Sequence, residues 1–292
     1  MSTSSNQKPE LPSTYFVADR ANQDEMQRLQ IQDQLLTASM GGVLQEQPDP
    51  SAFRRVLDVG CGTGRWLIDT AKAYPRISRL VGVDVSLALV EYARAQAEAE
   101  QVKGRTEFHV MDALHMLEFP TSFFDLVNMR LGSSFMRTWD WPKMLTEMGR
   151  VARIPGVVRV TDLEVGAVST SPALTQLYAR VRCALYRAGH LFTDAPDGLT
   201  SHLERLLTLW GYPRVQTKSY AREYWAGTPA GEVCYQDAKH FFQTLRPFIQ
   251  KWDCAGPNYD SLYQQMLQEM HQPDFHGTWK LLTAWGTRPA DN

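Results

Sequence analysis

The chain has 292 residues, enough for one large core with an appended cap or for two modest domains. Its 30 Lys+Arg against 32 Asp+Glu leave a formal net charge of -2 with no basic run, which argues against a nucleic-acid groove or an electrostatic membrane anchor. No apolar run approaches the ~18 residues of a membrane span, and the polar N-terminus does not resemble a signal peptide. The cysteines Cys61, Cys183, Cys234 and Cys254 lack metal-ligand spacing and read as free thiols in a reducing cytosol, with no metal site expected.

In chain order, Met1 to Pro12 is polar and Ser-rich and reads as a disordered tail (1–14). Tyr15 to Met40 places Met26, Leu29, Leu35, Leu36 and Met40 on a Gln-rich background, predicting one or two amphipathic helices that end near Gly41-Gly42. Pro48 and Pro50 mark the linker, so 15–50 form an N-terminal helical unit.

Val56-Leu57-Asp58-Val59-Gly60-Cys61-Gly62-Thr63-Gly64 then reads as a buried strand running into a turn with glycine at every second position. Such a turn suits positive φ or the close approach of a ligand. Trp66 to Tyr74 can form a helix stopped by Pro75, and Leu80-Val81-Gly82-Val83-Asp84 is a second apolar run ending in an acid, followed by Val85. Asp84 lies 20 residues beyond Gly64, the spacing at which βαβ units set a carboxylate on ribose hydroxyls. Leu87 to Gln101 is a good helix by propensity. Phe108 to Ala113 reads as the third strand and Phe124 to Met129 as the fourth, with Arg150 to Val158 turning into the fifth. A strand–helix alternation of this kind predicts a doubly wound α/β sheet, mostly parallel.

The glycine loop with Asp58 two residues before Gly60 resembles the cofactor loop of class I S-adenosyl-L-methionine-dependent methyltransferases, whereas a dinucleotide fingerprint would need a third glycine where Arg65 stands. The resemblance covers residues ~53–165, and Val157 departs from it where the family usually has a second glycine. It implies seven strands with the last antiparallel, and S-adenosyl-L-methionine as cofactor with S-adenosyl-L-homocysteine as product. It further implies cofactor contacts from Asp58, Gly60, Cys61, Gly62, Gly64, Asp84, Val85, Asp112, Ala113, Asn128 and Arg130, with Asp84 on the ribose and Asp112 beside the adenine amino group. In many small-molecule members an N-terminal helical segment closes the site as a lid, a role that Tyr15 and Phe16 could serve; packing alone is the other reading.

Core residues 51–168 are followed by a helical cap insertion, 169–211. There Pro172 can open a helix and Leu174, Leu177, Val181 and Leu185 recur at three- and four-residue spacing, before a break at Gly189-His190 and a further helix to Trp210. Residues 212–292 complete the sheet, with a sixth strand over Val215 to Trp225, a helical insertion over Ala230 to His271 and a last strand over Gly277 to Gly286.

The reading is methyl transfer by in-line displacement to a small, partly apolar metabolite through N, O or C. His190, at the cap break, is a candidate base, and Glu164 could orient an amine. Tyr15, Phe16, Arg130 and Tyr186 are candidate acceptor contacts. A protein acceptor, or a regulator that binds the cofactor without transferring methyl, stays open, as does a homodimer. Asn128-Met129-Arg130-Leu131 lacks the Pro-Pro-aromatic motif of DNA amino-methyltransferases. No nucleic-acid or membrane partner is expected.

Overall fold

The computed structural model describes residues 15–16 and 23–289; the expected tail lies outside them. Eight strands form one sheet: β1 (Arg55–Val59), β2 (Arg79–Asp84), β3 (Thr106–Val110), β4 (Phe124–Arg130), β5 (Ala152–Leu163), β6 (Val168–Ser169), β7 (Gln216–Trp225) and β8 (His276–Thr287). The path runs β3-β2-β1-β4-β5-β8-β6, with β7 also pairing β8. β1 to β5 pair in parallel, and β8 is antiparallel to β5, β6 and β7. Seven of these strands match the expected sheet; the eighth, β6, is only two residues long. In β1 every residue after Arg55 is buried, and β4 is buried up to Met129, as expected of central parallel strands covered on both faces. The register shift between β4 and β5 precedes Val157.

Helices α2 (Arg65–Ala73), α3 (Leu87–Ala99) and α4 (Trp141–Val151) belong to the βαβ crossovers. Trp66, Leu67, Ile68 and Ala71 of α2 are buried together with Val90, Ala93 and Ala97 of α3 in one apolar cluster. Helix α4 opens with Pro142 in its first turn and buries Trp141, Met144, Leu145, Met148 and Val151 at helical spacing.

The cap is built from α5 (Pro172–Arg187), α6 (Leu203–Leu209), α7 (Pro229–Lys251) and α8 (Tyr259–Glu269). The single helical insertion expected over 230–271 is two helices, separated by a turn that contains Gly256 and Pro257. Cys183 on α5 and Cys254 in that turn form a disulfide with a Cα separation of 6.0 Å, which corrects the expectation of four free thiols. Cys61 and Cys234 are free and buried. Among the described residues no helix is long and apolar enough to cross a membrane. Helix α1 (Gln23–Ser39) lies against the far end of the sheet, where Leu36 and Met40 cluster with Tyr220 and Leu281.

Two buried polar contacts join these layers. Arg159 of β5 pairs with Glu46 of the linker at 2.7 Å, both side chains fully buried, and donates to Asn128 Oδ1 at 2.6 Å. Burial alone would raise the Glu46 carboxyl, but the charge and hydrogen bonds of Arg159 hold it below its ordinary value. Removing one partner strands a buried charge. Arg159→Met is therefore expected to cost roughly 3–5 kcal/mol in urea unfolding, with part regained in the double variant Arg159→Met, Glu46→Gln.

The second contact is His190, 1% exposed, whose Nδ1–H donates to the Ser133 carbonyl at 2.9 Å and so ties the cap to the loop after β4. Gly189 beside it takes φ +85 against the Trp139 ring. Burial pushes the His190 imidazole down to about 4, the hydrogen bond to Ser133 and the Asp140 charge acting upward and Arg137 downward. The unfolded chain protonates this residue near its ordinary value and the folded chain resists, so stability is full above that value and falls as pH drops from about 6.5 towards 4. His190→Asn, which keeps a donor, should remove on the order of 3 kcal/mol of that acid sensitivity. Urea midpoints at pH 7.5 and 4.5 check this; equal acid sensitivity in both proteins would refute it.

Candidate active site

The glycine loop sits at the carboxyl end of β1. Gly60, Gly62 and Gly64 all take positive φ, at +69, +52 and +72, which explains the alternating spacing. Their surroundings differ. A Cβ on Gly64 would lie 2.7 Å from Ala93 and Phe108, so this glycine lets the loop pack on α3 and β3. A Cβ on Gly62 would meet nothing within 4 Å, so this glycine faces open space. The Gly60 and Cys61 amides donate to Val83 at 2.9 Å, and the Gly62 amide donates to Asp84 Oδ2 at 2.9 Å. Asp84 Oδ1 also accepts from the Ser86 amide, so the loop and the end of β2 are one hydrogen-bonded unit.

Above this unit lies a cavity of about 250 Å³. It brings together Tyr15, Phe16, Gly60, Cys61, Gly62, Asp84, Val85, Asp112, Ala113, Arg130 and Glu164 from the expected set. Asp112 is shaped by its own loop, accepting from the Leu114 amide at 2.9 Å and meeting His115 Nδ1 at 2.6 Å. Arg130 pairs with Asp33 of α1 at 2.6 Å, while its buried Nε and Nη1 have no hydrogen-bond partner. Burial pushes the Cys61 thiol up, which disfavours a thiolate nucleophile.

Five expected residues lie elsewhere. Asp58 and Asn128 are buried beneath the loop, where Asn128 Nδ2 donates to Asp58 Oδ1 at 2.7 Å, so they brace the site from below. Burial raises the Asp58 carboxyl to about 7 against the lowering effects of Arg130 and Asn128. Gly64 is spent on packing. Tyr186 is 46% exposed and does not line the cavity, because Tyr178 and the Leu174–Leu185 stripe take the inward face of α5. His190 is corrected as a base: it bonds Ser133 and does not line the cavity. Asp162 lines the cavity but accepts from the Ser133 amide and hydroxyl, at 3.0 and 2.7 Å, and its burial raises it to about 6.

Sequence reasoning missed Asp33 and Asp237, which also line the cavity. A signal existed. Asp33 falls on the stripe of Leu29, Leu36 and Met40, and Asp237 on that of Cys234, Phe241 and Leu245, so each acid interrupts an apolar helix face. Tyr15 and Phe16 close the far side: the Tyr15 hydroxyl donates to Glu25 at 2.6 Å and accepts from Arg28 at 3.0 Å, and the Phe16 amide reaches the Ser134 carbonyl. Among the described residues no group of three or more His, Cys, Asp or Glu could hold a metal ion. The open Gly62, the Asp84 carboxyl and the unpartnered Arg130 nitrogens suit a ligand that carries hydroxyls and a carboxylate, as S-adenosyl-L-methionine does.

Residues 56–156 match a family model described as a methyltransferase domain. The methyltransferase GfsG of Streptomyces halstedii is 33% identical over 125 residues, 42% of this chain and 42% of that protein. A demethylmenaquinone methyltransferase of Lactiplantibacillus plantarum is 35% identical over 109 residues, 37% of this chain and 44% of the relative. The matched stretch thus spans less than half the length of either relative. A solved structure of a candidate methyltransferase from Bacillus halodurans C-125 shares the fold with a TM-score of 0.54 at 17% identity, covering 85% of this chain and 97% of the other. With its glycine loop, strand order and family match in agreement, the chain carries, over residues 56–156, a class I S-adenosyl-L-methionine-dependent methyltransferase domain.

Proposed function

We propose that the whole chain transfers a methyl group from S-adenosyl-L-methionine to a small, partly apolar metabolite. The observation that carries this reading is the continuity of one cavity from the glycine loop into a chamber walled by α1, α5, α7 and β8. An enclosure made by the chain's own helices favours a small molecule over a polypeptide.

In this reading Gly60, Cys61 and Gly62 lie against the cofactor, Asp84 accepts from its ribose hydroxyls, and Asp112 and Ala113 meet the adenine. Arg130 holds the methionine carboxylate with the nitrogens that Asp33 leaves unused. When bound, the sulfonium supplies a methyl carbon that is already electrophilic. The chain's share is to hold the acceptor in line and keep water out, and such orientation is worth on the order of 7–11 kcal/mol. Helix α1 with Tyr15 and Phe16 roofs the cavity, and Glu164, at the end of β5, faces the acceptor.

Asp84→Ala is expected to weaken S-adenosyl-L-methionine binding more than about tenfold, or ~1.4 kcal/mol, by calorimetry. The variant also loses the brace to Gly62 and Ser86, so its urea midpoint is measured alongside. An unchanged affinity in a folded variant would remove Asp84 from the site. Catalysis is read by mass spectrometry as label passing from deuterated S-adenosyl-L-methionine into small molecules of a metabolite extract; cofactor binding with no labelled small molecule would refute transfer to a metabolite.

A further inference from the structure

Among charged side chains, the cavity as a whole is lined mainly by acids. Its lining holds six carboxylates (Asp33, Asp84, Asp112, Asp162, Glu164 and Asp237) against one cationic side chain, Arg130. Four of the six are engaged by Arg130 or by nearby backbone and hydroxyl groups. Glu164 and Asp237 make no side-chain hydrogen bond or ion pair among the described residues, and Asp237 Oδ1 is buried without a partner.

The wall around Asp237 is aromatic. Tyr178 packs edge-on to Trp279 with centroids 6.5 Å apart, and Trp279 edge-on to Tyr224 at 5.3 Å. Phe241 lies 6.1 Å from Tyr178 and already carries the Arg28 guanidinium over its face at 5.7 Å, and all four rings line the cavity. The Trp279 indole N–H donates to the Tyr178 hydroxyl at 2.7 Å, and the Tyr224 hydroxyl meets Ser39, so these polar tips are already partnered. Arg28, the cation closest in influence to Asp237, is held by Glu25 through Nε and Nη2, both at 2.7 Å, while its buried Nη1 makes no hydrogen bond, to Asp237 or any other described residue. Glu25 and Arg28 cancel, and the group as a whole carries the charge of one carboxylate. Burial lifts the Asp237 carboxyl to about 6, so it is ionised near neutrality yet poorly solvated.

From this geometry, and resting on the methyltransferase reading above, we propose that the acceptor is an amine, seated as its ammonium on the Asp237 carboxylate beside the Tyr178, Tyr224 and Trp279 rings. Ring faces attract a desolvated cation, and a carboxylate lacking other partners gains a charge-assisted bond only when such a donor arrives. A hydroxyl would satisfy Asp237 but would leave the ring faces and the acid excess without a counterpart. Glu164, nearer the loop end, is a second carboxylate to which the nitrogen can pass a proton before its lone pair is free.

The test uses 2-phenylethylamine and 2-phenylethanol, which differ only in the polar group, titrated calorimetrically into the full chain with and without S-adenosyl-L-homocysteine. The amine should bind about tenfold more tightly than the alcohol, and Asp237→Asn should abolish that preference while leaving S-adenosyl-L-homocysteine affinity unchanged. Glu164→Gln, read the same way, serves if Asp237→Asn fails to fold, and should reduce the preference. Equal binding of both probes, a stronger alcohol, no amine binding, or a preference undiminished in a folded variant overturns the proposal. Amine preference in a protein that does not bind S-adenosyl-L-homocysteine would support the cation site and defeat the cofactor reading alone.

Discussion

A single buried polar row fixes most of what the site depends on. Asp58, Asn128 and Arg159 are register partners across β1, β4 and β5, so their side chains stand side by side on one face of the sheet. Asn128 donates to Asp58 and accepts from Arg159, which then reaches Glu46 in the linker before β1. Charges this deep are tolerated only because each has its partners. The row is a register lock as well, since a slip of one residue would turn Arg159 to the opposite face and leave Glu46 and Asn128 unmatched. The Trp66 ring lies against both Arg159 and Arg130, at 5.9 and 5.7 Å, and donates its indole N–H to the Val43 carbonyl. The linker is thereby pinned to the sheet directly below the glycine loop.

Because the linker is fixed, α1 must leave the sheet in one direction, over the cavity. The Arg130–Asp33 pair holds it from below and the Leu36, Met40, Tyr220 and Leu281 cluster from the side. Arg130 links the two levels, since its guanidinium acts on Asp58 in the row and pairs with Asp33 in the roof. The cofactor half and the roof therefore share one electrostatic unit, and a change in the row is felt at the cavity without any residue of the row lining it.

The core was legible because its signals are local. A buried strand, an alternating glycine turn and an acid after the next strand each occupy a few consecutive residues, and the helices of the cap showed in their apolar spacing. Helix α4 carries an equally plain stripe from Trp141 to Val151. What failed was what requires the fold. Cys183 and Cys254 are 71 residues apart, and only the packing of α5 against the turn after α7 brings them together. Tyr186 and His190 lie near the end of a cap helix, where sequence position alone suggests the site; the inward stripe of α5 excludes the first, and the Ser133 carbonyl takes the Nδ1–H of the second. Asp33 and Asp237 interrupt apolar stripes, yet what they serve shows only once α1 and α7 both line one cavity.

The strength of that enclosure is uneven, and this bears on how reactants enter. The floor is sheet and buried polar row, which cannot open without stranding charges. The strap of Tyr15 and Phe16 is held differently. Its links include hydrogen bonds from Tyr15 to Glu25, from Arg28 to Tyr15 and from the Phe16 amide to the Ser134 carbonyl, a tilted ring contact of Phe16 on Phe248 at 6.0 Å, and packing of both rings on the main apolar core. At about 1 kcal/mol net for each such hydrogen bond, lifting the strap costs a few kcal/mol in polar links plus the burial of two rings on the core, whereas parting strands or leaving Arg159 alone strands a buried charge. Glu25 and Arg28 stay paired when Tyr15 leaves, so no bare charge opposes the motion.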